Sequence, residues 1–476
     1  QENSKFMKHI ITLLACVGLV FSLKAQSTTD FNIRYETFIK GDIKIIGNNI
    51  LNRKEKRNSP NDPYNDRSSK AKLNDEFDMQ YIDIDADPNT FSSSSAKFSY
   101  EGTGGKVAYA GLYWSATYPY AKGTLRGNKN IPVDSNREDA SSVLLKIPET
   151  NTYTPIAGEL IYDGRTDNEL KNSAPYVYYA NITNLLAPAT KIEGDYTVAN
   201  VKAALGQIEG GSAAGWALVI VYENPDSNVK KIITYDGFSA ITNEASKTFT
   251  FSGFKTPEAG DFKTRIMGVA LEGDFNMAGD NVAVGVPASG KTSSLESKWR
   301  PNQNFFSSAI TNNDEIVKTR TPNSENTLGF DIFRMDIKND NQYLIPNNTN
   351  SLDLSYTRSR DRYYLFLTAL EIENNPKEIT HLHRSTRISK LKVTDTQQGY
   401  YVVVGVFLNF NNVNKRVEEM KKWGYDAQVY YNKDQVLNYI YIARYNTYDE
   451  AMKKVEEVRE NTEIPDPWIL DVANYE

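Results

Sequence analysis

The C-terminal stretch, residues 399–476, alternates strand-like and helical patterns in an order that few folds accept. Residues 399–407 are rich in β-branched and aromatic side chains, which is typical of a strand. A helical pattern with apolar residues three or four apart follows, and Gly424 stands where that helix should stop. Two short strands, a second helix and a last strand are predicted at 427–431, 437–442, 448–460 and 468–470. The order βαββαβ predicts a small α+β domain with both helices on one face of a sheet.

Four parts of this segment also follow the pattern of a known module: 400–407, 420–427, 439–442 and 448–451. In order, spacing and local residues the segment resembles a SPOR domain, a peptidoglycan-binding module of bacterial envelope proteins. Val403 stands where that family often has Gln, and Ala443 stands where its third strand has Gly. The resemblance implies a domain at 399–476 that binds glycan strands of peptidoglycan.

Strand alternation predicts which side chains face away from the two helices. The set expected against the helices is Val402, Val404, Val429, Ile440 and Ile442. The set expected on an open sheet face, and therefore the predicted glycan-binding set, is Tyr401, Val403, Gln428, Tyr430, Tyr439 and Tyr441. Exposed tyrosines favour a ligand, since sugar rings offer apolar faces and the phenol adds a polar contact. The alternatives are ordinary cross-strand pairing and contact with the rest of the chain.

Residues 1–25 predict a secretory signal peptide, with a basic start near Met7, an apolar run from 10 to 21 and cleavage after Ala25. Residues 1–6 precede the expected start. Lipidation of Cys16 is the alternative, which the apolar run beyond it disfavours. Removal of the single cysteine leaves a mature chain without disulfides or thiolate metal ligands. We therefore expect an exported protein of a diderm cell envelope, in the periplasm or at the outer membrane, with the cell surface as the alternative.

Residues 26–373 predict a large β domain. Helical periods are scarce. Strand-like runs recur between turn residues, at 43–46, 107–114, 143–147, 176–180, 216–222, 232–235, 248–254, 266–271 and 363–372. The simplest fold for this pattern is a β-sandwich of jelly-roll type. The charged stretch 53–75 predicts a mobile loop, 181–186 a short helix, and 374–398 an inter-domain linker.

Six motifs in this β domain follow one another in a recognisable order: 83–88, 110–114, 215–223, 235–238, 271–274 and 326–331. They resemble the β-rich N-terminal domain of large cell-surface, adhesin-like proteins, including those of gliding Bacteroidetes-type bacteria. The chain lacks the long repeat array such adhesins usually carry. The resemblance implies a tie to adhesion or gliding motility, through an envelope or outer-membrane protein partner that the sequence does not name.

Two acidic groups are candidate Ca²⁺ sites because alternate carboxylates can supply several oxygen ligands. The first is Asp83, Asp85 and Asp87, and the second is Glu272, Asp274, Asn276 and Asp280. Neither group matches an EF-hand loop. The alternative for the first group is a solvated strand end.

Catalysis has little support in the sequence. Beyond His9 the chain has only His381 and His383, both in the predicted linker, so a Ser-His-Asp triad in the β domain lacks its base. A net charge of −6 without a basic stripe also argues against a nucleic-acid partner. We expect a non-enzymatic, glycan-binding envelope protein. The alternatives are a surface adhesin proper and a wall hydrolase that uses carboxylates only, with Glu223, Asp236, Glu272 and Asp274 as candidates.

Overall fold

The computed structural model describes residues 28–68, 70–85, 87–102, 105–242, 246–379, 382, 388–391, 397–433, 435–464 and 467–472. This part of the chain is mainly β, as the sequence predicts. A large β domain (28–379) precedes a small α+β module, here called the C-terminal module (388–472). The predicted signal peptide, His381 and His383 lie outside the described residues.

The largest sheet of the β domain has eleven strands, numbered along the chain. Its order across the sheet is β10 (Glu159–Asp163), β11 (Pro175–Asn181), β5 (Val107–Thr117), β14 (Ala214–Glu223), β1 (Thr28–Asn49), β15 (Val229–Ile241), β25 (Tyr363–Glu373), β17 (Thr264–Leu271), β23 (Phe330–Asp336), β20 (Ile310–Asn312) and β21 (Glu315–Ile316).

Three smaller sheets accompany it. One is β22 (Arg320–Thr321), β4 (Ser93–Phe98), β12 (Gly194–Ala199), β8 (Ser142–Lys146) and β9 (Thr154–Ala157). Another is β16 (Ser246–Ser252), β24 (Ser351–Arg358), β18 (Asp280–Val286) and β19 (Lys291–Ser294). The third is β2 (Leu51–Arg53), β3 (Met79–Tyr81), β13 (Leu205–Gly206), β6 (Lys122–Arg126) and β7 (Lys129–Asp134). Helix α1 is Thr183–Leu186, and short 3-10 turns lie at Asn74–Glu76, Gly164–Thr166, Asp340–Gln342 and Pro376–Glu378.

The long strand β1 turns the eleven-stranded sheet into two layers. Its first part pairs with β15 up to Lys40, and its second part pairs with β14 from Gly41 onward. The two halves of the sheet then pack closely on each other. A Cβ on Gly215 of β14 would lie only 2.6 Å from the Phe330 ring of β23. A residue larger than glycine at this position would push the two halves apart.

Three apolar cores separate four layers of sheet. The central core joins the two halves of the eleven-stranded sheet. The β5 and β14 half packs its other face on the β4, β12 and β8 sheet. The β17 and β25 half packs its other face on the β16, β24 and β18 sheet. Strand alternation produces this stack, since Trp216 and Leu218 enter one core while Ala217 and Val219 enter the next.

The stretch 53–75, predicted to be a mobile loop, instead packs on the β domain. Tyr64 is buried, and its amide hydrogen bonds to Ser324 Oγ over 3.0 Å. The guanidinium of Arg67 donates to the carbonyls of Ser307 (2.9 Å) and Glu325 (2.9 Å). The prediction was wrong because it weighed charge and composition, whereas Tyr64 and Arg67 find hydrogen-bond partners far away in sequence.

The C-terminal module has the predicted order of elements: β27 (Gly399–Phe407), α2 (Phe410–Lys422), β28 (Gln428–Asn432), β29 (Leu437–Tyr445), α3 (Tyr448–Asn461) and β30 (Trp468–Val472). The predicted linker also contributes β26 (Ile388–Leu391), which pairs in parallel with β30. The sheet order is therefore β26, β30, β27, β29 and β28.

Both helices begin and end where the sequence indicates. Asn409 caps α2, accepting a 2.8 Å hydrogen bond from the Asn411 amide. Gly424, at φ +83°, ends that helix, and the Tyr425 amide bonds back to the Met420 carbonyl over 3.0 Å. Thr447 caps α3, accepting from the Glu450 amide. No helix in the described ranges is both long and apolar enough to cross a membrane.

Candidate functional site

The helices of the C-terminal module cover one face of its sheet and thereby define the other. Val402, Val404 and Ile440 are buried against α2 and α3, as the alternation predicts. Val429 is the exception, at 43% exposed, because β28 is the edge strand and α2 does not reach over it.

Five of the six predicted glycan-binding residues gather on the opposite face, here called the tyrosine face: Tyr401, Val403, Tyr430, Tyr439 and Tyr441. Gln428 belongs to the same side through its pairing with Tyr441. The rings touch in two pairs, with centroids 5.0 Å apart for Tyr401 and Tyr441 and 6.3 Å apart for Tyr430 and Tyr439. The first pair is edge-to-face and the second is tilted, and such contacts restrict the orientations of the rings.

Trp468 is a member of this face that the sequence reasoning did not single out. Its ring lies 6.2 Å from the Tyr439 ring, and Leu470 and Val472 continue the row along β30. Alternation along the predicted strand 468–470 puts Trp468 and Leu470 on one side of it, and the structure pairs Trp468 with Val403.

The tyrosine face is less open than predicted. Tyr401 is 5% exposed and Tyr439 is 7% exposed, and Val403 is fully buried. The Tyr401 hydroxyl donates to the Gln397 carbonyl over 2.6 Å, and the Tyr439 hydroxyl donates to Gln435 over 2.5 Å. These three side chains form the floor of the face, and a ligand would not reach them directly.

The accessible part of the face lies toward the β28 edge. Tyr430 and Tyr441 are half-buried and Gln428 is exposed. Tyr441 pairs with Val403 and Tyr430 pairs with Tyr439, so floor residues fix the accessible rings. A rigid pair of half-exposed phenol rings beside an amide suits a flat ligand with hydroxyl groups.

The first calcium candidate does not form a shared site. Asp83, Asp85 and Asp87 do not lie along one regular strand, and each carboxylate has donors of its own. Asp83 accepts from Ser93 Oγ over 2.8 Å, Asp85 accepts from the Thr90 and Tyr153 hydroxyls, and Asp87 accepts from Asn89. The three carboxylates therefore do not share one face of a regular strand.

The residues of the second calcium candidate also have separate hydrogen-bond partners. The Asn276 amide turns toward the Ala71 carbonyl, 2.7 Å away, and Asp280 accepts from the Phe306 amide over 2.6 Å. Glu272 and Asp274 remain near each other, where Asp361 accepts a 3.0 Å hydrogen bond from the Asp274 amide. Within the described ranges, no three His, Cys, Asp or Glu side chains are grouped closely enough to hold a metal ion.

Burial is what these carboxyl groups have in common. It raises the pKa of Glu272 to about 8, of Asp274 to about 6 and of Asp280 to about 7. It also raises the pKa of Asp361 to about 9. Arg362 is the nearest cation to Glu272, at 3.8 Å, and opposes the shift only in part.

Of the carboxylates considered for a wall hydrolase, Asp236 lies inside the β domain. Asp236 is buried and accepts from Arg34 Nε over 2.7 Å and from the Tyr113 hydroxyl over 2.9 Å. These bonds hold it inside the β domain, whereas a glycosidase needs both carboxyl groups beside the sugar.

A cleft of about 430 Å³ lies between the β domain and the C-terminal module and was not foreseen. Its floor is the stacked pair Tyr35 and Tyr109, with ring centroids 4.3 Å apart. At its rim Asn181 donates to Asp449 of α3 over 2.8 Å. Its walls carry charges of both signs.

Comparison with known proteins leaves the family open. No protein-family model matches the sequence, and no curated protein matches it. Solved structures that align with the chain do so at low similarity. For the STIV MCP the identity is 7% and the TM-score 0.16, over 58% of this chain and 91% of that one. For PNGF-II the identity is 7% and the TM-score 0.19, over 72% of this chain and 66% of that one. For a T=1 Penaeus vannamei nodavirus the identity is 9% and the TM-score 0.12, over 71% of this chain and 98% of that one. At such TM-scores these likenesses carry no argument about fold or function.

Proposed function

We propose that the protein is an exported component of a bacterial cell envelope that binds glycan strands of peptidoglycan through its C-terminal module. The observation that carries the proposal is the clustering of the tyrosine face, in which buried rings hold Tyr430 and Tyr441 half-exposed beside Gln428. The order βαββαβ and the resemblance to SPOR domains support the choice of ligand.

The ligand chemistry follows from what the face offers. Phenol rings can stack on the apolar C–H faces of sugar rings, while their hydroxyl groups and the Gln428 amide can bond sugar hydroxyls. The cross-strand pairs of β28 with β29 fix these groups before any ligand arrives, which lowers the entropic cost of binding.

The β domain is proposed to contact another envelope or surface component. Its resemblance to adhesin-like domains supports a partner linked to adhesion or gliding. Its four-layer stack is a rigid scaffold with many surface loops, and such loops commonly carry recognition.

Co-sedimentation of the full chain with purified peptidoglycan sacculi tests the proposal. We expect the protein to pellet, and more of it when stem peptides have been stripped from the glycan. Failure to pellet with either preparation would refute glycan binding. Release of soluble glycan fragments during the incubation would instead favour the wall-hydrolase alternative.

A further inference from the structure

The sheet of the C-terminal module has two edges that the chain treats differently. At one edge, β26 pairs with β30, so the chain itself covers that side. At the other edge, β28 pairs only with β29, and its outer side carries no strand among the described residues. An uncovered edge offers unpaired backbone N–H and C=O groups to another strand.

Strand β28 lacks the usual features that keep an edge strand from pairing. Its residues, Gln428 to Asn432, include no charged residue and no proline. Its register with β29 runs from end to end without a bulge. Native edge strands are normally blunted by one of these devices, so a regular uncharged edge indicates a pairing surface.

The exposed side chains of β28 point to the same conclusion. Val429 is 43% exposed and Tyr431 is 46% exposed, although both are favoured strand residues. They lie on the helix side of the sheet, where α2 leaves the edge uncovered. Burying them needs a partner beyond the edge.

The sequence of β28 is complementary to itself in the antiparallel direction. When two copies pair about Tyr430, Val429 of each lies opposite Tyr431 of the other, and Gln428 lies opposite Asn432. A β-branched residue facing an aromatic one is a favourable cross-strand pair.

From this self-complementarity we infer that two copies of the protein associate through β28, antiparallel and with twofold symmetry about Tyr430. The two five-stranded sheets become one continuous sheet. The interface is isologous, so it closes as a dimer and does not extend into a filament.

The β domain leaves this edge free. Its contacts with the module lie on the α3 side, where Asn181 reaches Asp449. Helix α3 packs over β27, β29 and β30, whereas β28 is the outermost strand on the far side. The full chain can therefore dimerise without rearranging its domains.

The interface is small, since it joins a single pair of five-residue strands. Interfaces below the standard size are weak and transient, so we expect a dissociation constant between about 1 µM and 1 mM. The inference does not depend on glycan binding, because it concerns the protein alone.

Sedimentation velocity of the full chain, across a concentration range that brackets this constant, is the first test. We expect a shift from monomer to dimer, and Tyr431→Lys should weaken the dimer at least tenfold. Leu408→Lys is the matched control, since Leu408 is 71% exposed in the same module but lies outside β28. A chain that stays monomeric throughout, or a dimer weakened equally by both variants, would overturn the inference.

Cysteine cross-linking tests the register. In a Cys16→Ser background, Tyr430→Cys faces its own copy across the axis, at a distance that a disulfide can span. Mild oxidation should therefore link Tyr430→Cys chains into dimers. Gln428→Cys should not link, because its symmetry mate lies four residues further along the strand pair. A disulfide that forms with Gln428→Cys and not with Tyr430→Cys would contradict the register.

Discussion

Glu272 shows how a single side chain can set the response of the β domain to pH. Its carboxyl group is buried, its Oε1 has no hydrogen-bond partner among the described residues, and burial raises its pKa to about 8. Asp274, Asp280 and Asp361 have pKa values raised for the same reason. In the unfolded chain all four carboxyls lose their protons near pH 4.

The sign of the effect follows from proton linkage. A raised pKa in the folded state means that the contribution of these groups to stability is complete below about pH 4 and is lost as the pH rises through 6 to 9. We predict that Glu272→Gln raises the melting temperature at pH 8.5, by the equivalent of about 1 kcal/mol or more, and changes it little at pH 4.5.

Thermal unfolding at the two pH values measures this difference. Glu315→Gln, at an exposed carboxyl on β21, is the matched control and should give no pH-dependent gain. A chelator or added calcium should leave the profile unchanged if protons neutralise the buried carboxyls. An equal gain at both pH values would contradict the linkage.

At the scale of elements, the turn after α2 needs a residue in the left-handed backbone region, and the glycine in the sequence predicts it. Gly424 adopts φ +83°, and its amide bonds to the Lys421 carbonyl over 3.1 Å. We predict that Gly424→Ala lowers the free energy of unfolding of the module by about 1 kcal/mol, because a side chain disfavours the left-handed region. Calorimetry should show the loss, and Lys421→Ala, on the exposed side of α2, should be nearly neutral. Equal losses would contradict the cap assignment.

The elements were largely predictable because local patterns determine them. The helices α2 and α3, the stop at Gly424 and the strands around Val107, Trp216 and Tyr363 follow from periodicity and turn residues. The tyrosine face was predictable as a set for the same reason, since alternation places Tyr430, Tyr439 and Tyr441 on one side.

What packs on those elements was not predictable. Periodicity says which side of a strand is apolar, but not which distant strand covers it. This is why β1 appeared as a four-residue run, although it spans both halves of the eleven-stranded sheet. The burial of Tyr401 and the pairing of β26 with β30 likewise depend on contacts between residues far apart in sequence.

At the scale of the whole molecule, the two domains should unfold separately. The contact between them includes a cleft with charged walls, and at its rim Asn181 donates a hydrogen bond to Asp449. Small polar interfaces couple domains weakly. We predict two calorimetric transitions, and Val402→Ala should lower only that of the C-terminal module, by about 1–2 kcal/mol. A single transition that moves as a unit would contradict this view.

Because the two domains should unfold separately, the tyrosine face can be tested without disturbing the β domain. The central claim is that Tyr430 and Tyr441 contact glycan while the buried rings beneath them only support the sheet. If each stacking contact contributes on the order of 1 kcal/mol, losing both should weaken binding roughly tenfold or more.

The most direct measurement is the affinity of the full chain for stripped sacculi with and without these two rings. Tyr430→Ala combined with Tyr441→Ala should reduce binding at least tenfold and leave both unfolding transitions in place. Phe410→Ala, which removes an exposed aromatic ring of the same module away from the tyrosine face, should bind like the wild type. If the double variant binds as tightly as the wild type, the glycan does not lie on this face.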